Sequence, residues 1–280
     1  MRNSILGRIQ FISVIAVLLL PLFVATVQPI YAEEVPQYSA QEQVNQSDIE
    51  TKSMPSVMVP STSFGEEFLK IRNNTTRQRE TDCTIENCIA LTFDDGPNQQ
   101  FTPLVLDTLK QFDARASFFV IGNRVPAHPE IVRRAYKEGH DIGNHSWSHP
   151  LFTKLSPDQI SQEFNATQQA ITQAGVPTPL LFRPPYGIRT PAALAAIPAP
   201  FILWNVDPHD WSQKDVTALT QHILTHARRG AVIVMHDTSA STVEALQRIV
   251  PELQKSYKLV TIRDLFDIKS DSRGQYFGLQ

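Results

Sequence analysis

The chain is organised around the stretch Leu91-Thr92-Phe93-Asp94-Asp95-Gly96-Pro97. The residues from Ile89 to Phe93 are apolar and β-favouring, lack a helical period and end at a Gly-Pro turn, so they predict a buried strand. Two adjacent carboxylates, Asp94 and Asp95, end this strand, and they repel each other unless a cation or a proton lies between them. An isolated Asp-Asp-Gly sequence is ordinarily a solvated turn. A functional interpretation therefore depends on what the rest of the chain supplies.

The composition is that of a globular domain with additional segments. The chain has 280 residues, of which 42% are hydrophobic and 19% charged, and its formal charge at pH 7 is −3. These values suit one medium-sized domain. The longest basic runs are the pairs Arg133-Arg134 and Arg228-Arg229, so we expect no nucleic-acid binding.

The first 32 residues predict an export signal. Arg2 and Arg8 precede a largely apolar, uncharged stretch over residues 9–30, an arrangement typical of a secretory signal cleaved after Ala32. The apolar centre of this stretch, from Phe11 to Val27, is slightly short for a membrane span of ~20 residues, and an uncleaved membrane anchor is the alternative. Both alternatives place the remainder outside the cytoplasm, because the arginines favour the inner side. We expect a protein that is periplasmic, extracellular or anchored to the outer face of the membrane.

Composition divides the remaining chain into three parts. Residues 33–80 are rich in Gln, Ser, Thr, Asn and Pro and show no apolar period, which predicts a disordered linker. Residues 81–268 form the expected catalytic domain, and residues 269–280 a C-terminal tail. Cys83 and Cys88 predict a small disulfide in an exported chain, with a free or metal-binding pair as the alternative.

Strand-like runs alternate with helical patterns from residue 89 onward. Strands are predicted at Ile89–Phe93, Ala116–Ile121, His140–Gly143, Leu180–Phe182, Phe201–Val206, Ala231–Met235 and Leu259–Ile262. Helices are predicted at 101–112, 128–138, 157–174, 190–196, 214–227 and 242–254. This alternation indicates right-handed βαβ units and a parallel sheet. About 180 residues are too few for an eight-unit barrel of ~250 residues, so we expect an α/β fold of the deformed, seven-stranded (β/α) barrel type. The alternative is a doubly wound open sheet, but no Gly-rich phosphate loop follows the first strand.

Two histidines follow the third predicted strand at a spacing that suits a metal ion. His145 and His149 can face one point across a single turn of the segment 143–150. With one carboxylate they would complete a three-ligand site with an open position, as in a catalytic zinc centre. For this spacing alone, two unrelated surface histidines are the alternative. His222 and His226 have the same spacing on an amphipathic helix without nearby acids, and we interpret them as a solvated face.

Further polar clusters follow the fourth, fifth and sixth predicted strands. They are Arg183-Pro184-Pro185-Tyr186, Asp207-Pro208-His209-Asp210-Trp211 and Val234-Met235-His236-Asp237. The two prolines lack backbone donors, which leaves the N–H of Tyr186 as a candidate oxyanion donor. Arg183 can pair with a strand-end carboxylate, and a neighbouring acid can tune His236 for proton transfer. Active sites of parallel barrels form at the carboxyl ends of the strands, so these clusters together predict one site.

In this order, the motifs resemble those of the polysaccharide deacetylase family, the carbohydrate esterase group (family 4) with the NodB-homology domain. The matching segments are Thr92-Phe93-Asp94-Asp95-Gly96, His145-Ser146-x-x-His149-Pro150, Arg183-Pro184-Pro185-Tyr186, Asp207-x-x-Asp210-Trp211 and Val234-x-His236. The resemblance covers about residues 85–267. It implies a deformed (β/α) barrel, a divalent metal that is commonly zinc, with cobalt, nickel or manganese as alternatives, and hydrolysis of N- or O-acetyl groups on sugar polymers. Val234 is a departure, since the family usually has Leu there.

The resemblance and the chemistry of the side chains together imply a role for each polar residue. Asp94, kept ionised by Arg183, would act as general base on a metal-activated water. His236, oriented by Asp210, would protonate the departing sugar amine. The metal ligands would be Asp95, His145 and His149.

The remaining site residues would contact the acetyl group. The N–H of Tyr186 would stabilise the tetrahedral oxyanion, and Trp211 and Val234 would line the pocket for the acetyl methyl. We expect a monomer that deacetylates N-acetylglucosamine in peptidoglycan or a chitin-like polysaccharide. An acetyl-xylan type O-acetyl esterase is the second hypothesis. A non-catalytic cell-wall binding module is a third, although base, acid and all three ligands are present together.

Overall fold

The computed structural model of the chain describes residues 81–279. The segments predicted as an export signal, residues 1–32, and as a linker, residues 33–80, lie outside the described residues. Among residues 81–279, no helix combines the length and the hydropathy that crossing a membrane requires.

Strands and helices alternate along the described part of the chain. The strands are β1 (Cys88–Asp94), β2 (Ala116–Val120), β3 (Asp141–Asn144), β4 (Phe201–Ile202), β5 (Val232–His236), β6 (Lys258–Leu259) and β7 (Gln275–Tyr276). The α-helices are α1 (Thr102–Gln111), α2 (Pro129–Lys137), α3 (Pro157–Gln173), α4 (Pro191–Ala196), α5 (Val216–His226), α6 (Ala240–Leu253) and α7 (Ile262–Phe266). Short 3₁₀ turns span Gly122–Ala127, Phe152–Lys154 and Pro185–Gly187.

The strand β1 is the centre of the sheet. It pairs in parallel with β2 and with β5, and β6 pairs with its first residues. All seven residues of β1 are buried, as expected of a parallel strand that is covered on both faces. Alternate residues from Ile89 to Phe93 pack in the main hydrophobic core, whereas Thr92 and Asp94 point to the opposite face and contact Arg183.

Single backbone bridges close the sheet into an irregular barrel. Parallel pairing runs in the order β3-β2-β1-β5. Asn144 at the end of β3 bridges to Phe182, Phe182 bridges to Phe201 of β4, and Val206 bridges to Ile233 of β5. The chain therefore returns from β3 to β5, and the predicted α/β fold of the deformed-barrel type is confirmed.

The fourth predicted strand, Leu180–Phe182, is wrong. The structure has two isolated bridges at Phe182 in its place, one to Asn144 and one to Phe201. Pro179 precedes the segment and Pro184 follows it, and neither has the N–H that a ladder of hydrogen bonds needs. Leu181 and Phe182 are buried, but the run does not extend into a paired strand.

Two other predicted strands are shorter or interrupted in the structure, and polar side chains form hydrogen bonds where the ladder is broken. Phe201–Val206 is paired over β4 and again at Val206, and the side-chain oxygen of Asn205 accepts the N–H of Val232 at 2.8 Å. Leu259–Ile262 stops at Leu259, because the hydroxyl of Thr261 caps the start of α7. These polar side chains stop the ladder within an apolar run.

The strand β7 lies within residues 269–280, the segment expected to be a C-terminal tail. The N–H of Phe201 donates to Gly274 O at 2.9 Å, and the N–H of Leu203 donates to Tyr276 O at 2.8 Å. A two-residue strand leaves no periodic signal in a sequence, so only its tertiary pairing reveals it.

The helix α3 begins where its sequence signal predicts. Ser156 accepts the N–H of Gln159, whose side chain accepts the N–H of Ser156, and Pro157 occupies the first turn. Gly175, with a φ of 84°, follows the end of the helix. This capped helix packs beside the loop that follows β3.

Candidate active site

The predicted polar clusters meet at the carboxyl ends of the strands. Asp94 ends β1 and lies in register with His236 at the end of β5. His145 follows β3. This strand pairs with β2, so it lies on the side of β1 opposite to β5. The parallel sheet thus brings together side chains that are far apart in sequence.

Arg183 is completely buried inside the barrel and pairs with Asp94. Its Nη1 lies 2.7 Å from Asp94 Oδ1 and 2.8 Å from Thr92 Oγ1. Its Nε and Nη2 donate to the carbonyls of Ile202 and Leu203, and the guanidinium lies 4.1 Å from the centre of the Phe119 ring. Burial lowers the pKa of this guanidinium, and the carboxylate of Asp94 opposes that shift. The ion pair therefore fixes Asp94 Oδ1, and Arg183 does not bind the second carboxylate oxygen, Oδ2.

Asp95, His145 and His149 form a group that fits a metal ion. One ligand atom from each lies within 4.8 Å of the other two. Asp95 Oδ1 is 3.5 Å from His145 Nε2 and 3.6 Å from His149 Nε2. This buried oxygen accepts no hydrogen bond from any residue in the described range 81–279. Three potential ligand atoms therefore converge on one point.

The imidazole of His145 is held in the form that a metal requires. His145 Nδ1 lies 2.8 Å from Arg183 O, and since a carbonyl only accepts, Nδ1 carries the hydrogen and Nε2 the lone pair. Burial lowers the pKa of His145 to about 3, and burial also lowers the pKa of His149. The Nε2 lone pair of His145 therefore faces the carboxylate of Asp95, which is unfavourable without a cation between them.

The loops that carry these ligands have left-handed backbone at non-glycine residues. The positive φ angles belong to Asp95 (72°), Ser146 (67°), His149 (57°) and Tyr186 (58°). Such conformations cost about 1–3 kcal/mol each and concentrate at functional sites. In the His145–His149 loop, the hydroxyl of Ser146 accepts the N–H of His149 at 3.0 Å, which helps to hold the turn.

His236 and Asp210 form a second pair on the other side of Asp94. His236 Nδ1 lies 2.7 Å from Asp210 Oδ1, and the N–H of His236 donates to Asp210 Oδ2 at 2.8 Å. Burial disfavours the charged imidazole, but the hydrogen bond and charge of Asp210 prevail and raise the pKa of His236 to about 9. At neutral pH this imidazole is therefore protonated and able to donate.

The residues predicted to contact the acetyl group border the site. Tyr186 is 39% exposed, and its ring meets that of His149 edge-on at a centroid distance of 4.6 Å. Trp211 is 47% exposed and follows Asp210 directly. Val234 is buried on β5, in register with Thr92 and two residues before His236. Two of these groups are thus available to a large ligand, and the third belongs to the barrel wall.

The cysteine pair lies away from these groups. Cys83 and Cys88 form a disulfide that closes the turn before β1. Cys88 is the first residue of β1 and Asp94 the last, so the disulfide is at the opposite end of the strand.

Two residues that support the site were not identified from the sequence. Thr242 Oγ1 donates to Asp210 Oδ2 at 2.6 Å. The side chain of Glu163, on α3, accepts hydrogen bonds from the loop between His145 and His149. A threonine or a glutamate in an amphipathic helix has no motif around it, so no local signal marks either residue.

Comparison with known proteins identifies a matching family model and close relatives. The model described as "Polysaccharide deacetylase" matches residues 81–198. A peptidoglycan-N-acetylglucosamine deacetylase of Bacillus cereus is 38% identical over 193 residues, which cover 66% of this chain and 90% of that protein. PgdA of Listeria monocytogenes, with the same named activity, is 40% identical over 190 residues, or 68% of this chain and 41% of the relative. This chain thus matches less than half of the length of the Listeria protein.

A solved structure with the same fold carries a metal. The family 4 acetyl xylan esterase from Clostridium thermocellum, in complex with cobalt, superposes with a TM-score of 0.61 at 36% identity. The match covers 64% of this chain and 90% of the esterase.

Proposed function

This chain belongs to the polysaccharide deacetylase family, and on that premise we propose that it removes N-acetyl groups from N-acetylglucosamine residues of peptidoglycan or a chitin-like polysaccharide. The observation that carries the proposal is the arrangement of two proton-transfer groups around one metal-type site. Asp94 and His236 lie in register on neighbouring strands, beside the group formed by Asp95, His145 and His149. The activity named for the Bacillus and Listeria relatives supports the choice of substrate.

The three converging residues would hold a divalent metal ion, and we propose zinc. Neutral imidazoles and one carboxylate are ligands that zinc accepts in catalytic sites, and cobalt, nickel and manganese are the alternatives. The cobalt in the related esterase supports a divalent ion. When bound, the metal would polarise the acetyl carbonyl and lower the pKa of a water molecule.

Asp94 would take the proton from the attacking water. Its Oδ1 is bound to Arg183, whereas Oδ2 lies 3.8 Å from His145 Nε2, on the side of the proposed metal site. A water beside that site would be within reach of Oδ2. Two adjacent acids thus have separate tasks, because Asp95 would bind the cation while Asp94 receives the proton.

His236 would supply the proton to the leaving amine. Its Nδ1–H is engaged by Asp210, which leaves Nε2–H as the donor. Cleavage of the C–N bond then yields acetate and the free sugar amine, and the proton lost by the water is balanced by the one gained by the amine. The N–H of Tyr186 would stabilise the oxyanion, and Trp211 and Val234 would line the pocket for the acetyl methyl.

The substrate implies that the protein acts outside the cytoplasm. We propose that residues 1–32 direct export as a cleaved signal or remain as a tether through residues 9–30. Residues 33–80 would then act as a spacer between the export segment and a monomeric catalytic domain.

Acetate release from defined substrates tests the proposal. The purified protein would be incubated with peptidoglycan, chito-oligosaccharides and acetylated xylan. We expect release from the N-acetylated substrates to exceed release from xylan. Preferential release from xylan would instead support the O-acetyl esterase hypothesis. No release from any substrate by zinc-loaded protein would support the non-catalytic binding module.

A further inference from the structure

The loop between His145 and His149 is bound by a carboxylate from a neighbouring helix. Glu163 Oε2 accepts the backbone N–H groups of Trp147 and Ser148, each at 2.8 Å. Glu163 Oε1 accepts the hydroxyl of Ser148, also at 2.8 Å. One side chain of α3 thus binds the two residues that immediately precede His149.

This loop needs such support because of its backbone conformation. Ser146 and His149 have φ angles of 67° and 57°, which cost about 1–3 kcal/mol each for residues other than glycine. Hydrogen bonds to an ionised carboxylate are about twice as strong as those between neutral groups. The three bonds from Glu163 therefore offset the cost of a loop conformation that directs His149 towards Asp95.

The helix that carries Glu163 is itself fixed to the strand before the loop. Asn144 Nδ2 donates to Phe164 O at 2.9 Å and to Gln168 Oε1 at 3.0 Å. Asn144 Oδ1 accepts the N–H of Ser146 at 2.9 Å. The start of the loop is therefore attached to α3 through Asn144, and its end is attached to the same helix through Glu163. Because Asn144 is fixed, the start of the loop cannot shift to compensate for a change at its end.

The two histidines are supported differently. The backbone N–H of His145 donates to Val120 O at 3.0 Å, and its Nδ1 contacts Arg183 O. His145 is thus held by the barrel itself. The position of His149 instead depends on the loop before it, where Glu163 binds Trp147 and Ser148 from the neighbouring helix.

We propose that Glu163 is a positioning residue for the metal site, which keeps His149 Nε2 in place by fixing the 146–149 loop. The inference rests on the proposed metal site, and it assigns Glu163 neither a ligand nor a substrate contact. Without this carboxylate the loop would be less constrained, and His149 Nε2 would be held less firmly at the position that the metal requires. Loss of supporting contacts to metal ligands weakens metal affinity about 10–100-fold, and we expect a loss in that range.

The zinc affinity of metal-free protein tests this directly, by competition with a chromophoric chelator. Glu163→Ala removes all three hydrogen bonds. Glu163→Asp keeps the negative charge but is one methylene shorter, so it cannot span the same partners. Gln162→Ala, at an exposed position one residue earlier on α3, is the matched control. Thermal unfolding of each metal-free variant measures any general loss of stability separately.

We expect Glu163→Ala and Glu163→Asp to bind zinc about 10–100-fold more weakly than the parent protein, and Gln162→Ala to match the parent. Parent-like affinity in Glu163→Asp would show that charge alone is needed, and it would overturn the positioning role. If Glu163→Ala does not fold, Glu163→Asp decides in the same way. Failure of the parent protein to bind zinc would overturn both this inference and the proposed metal site. Equal binding by parent and variants would overturn this inference alone.

Discussion

Arg183 Nη1 lies 2.7 Å from Asp94 Oδ1, and both side chains are buried at the end of β1. Removal of one partner from a buried ion pair leaves an uncompensated charge and costs about 3–5 kcal/mol. We therefore expect Arg183→Met to lower the free energy of unfolding by about that amount, as measured by chemical denaturation of the metal-free protein.

The control for this change is an exposed pair on α6. Arg248 Nη2 lies 2.6 Å from Glu244, and both side chains are about half exposed. Because surface pairs contribute about 0–1 kcal/mol, Arg248→Met should change stability by no more than that. Equal losses of unfolding free energy in Arg183→Met and Arg248→Met would show that the buried pair stabilises the fold no more than a surface pair does.

Asp94→Asn should separate the two adjacent acids. Loss of a general base costs about 10²–10⁴-fold in rate, so acetate release should fall by that factor. Zinc affinity should remain close to that of the parent protein, because the proposed ligand is Asp95. Asp95→Asn should instead weaken zinc binding. Undiminished acetate release by Asp94→Asn would rule out the assignment of the base.

The titration of His236 should depend on Asp210. Against the effect of burial, Asp210 raises the pKa of His236 to about 9. The folded protein binds this proton more tightly than the unfolded chain, so the stabilising contribution is complete below about pH 6.5 and is lost as the pH rises through about 9. Asp210→Asn should shift the NMR titration of the His236 imidazole in metal-free protein to lower pH. An unchanged midpoint would contradict the proposed role of Asp210.

Asp237 should make the folded protein less stable as the pH rises. This buried carboxyl accepts from Thr102 Oγ1, and burial raises its pKa to about 7 from 3.8. Between these values the folded state retains a proton that the unfolded chain has lost, so the free energy of unfolding falls by about 1.4 kcal/mol per pH unit.

The measurement is a series of denaturation curves between pH 4 and pH 8. Asp237→Asn should remove this contribution, since the amide oxygen still accepts from Thr102 and does not titrate. The exposed change Asp158→Asn should keep the slope of the parent protein. A parent-like slope in Asp237→Asn would assign the pH dependence to other groups.

The sequence predicted the features that depend on local patterns. The apolar run before Asp94 is long enough and sharply enough bounded to identify β1, and the start of α3 carries a complete capping signal at Ser156. The pairing of Arg183 with Asp94 was also expected, because a permanent cation and a carboxylate both follow strands of one parallel array. Because the strands are parallel, the residues at their carboxyl ends lie close together and form one site.

Features that depend on contacts between residues far apart in the chain leave no local pattern, so the sequence did not predict them. The fourth predicted strand fails because prolines limit its pairing to Phe182, although its side chains are as apolar as those of a strand. The strand β7 exists through its bonds to β4, and Thr242 acts on Asp210 from 32 residues away. Glu163 likewise depends on how α3 packs against a distant loop.

The proposed metal centre can be tested by the rate of acetate release from chito-oligosaccharides as metal-free protein is titrated with zinc. The site formed by Asp95, His145 and His149 predicts that release is negligible without metal and rises linearly until one zinc is bound per chain. Full release by metal-free protein in the presence of a chelator would rule out a metal-dependent reaction at this site.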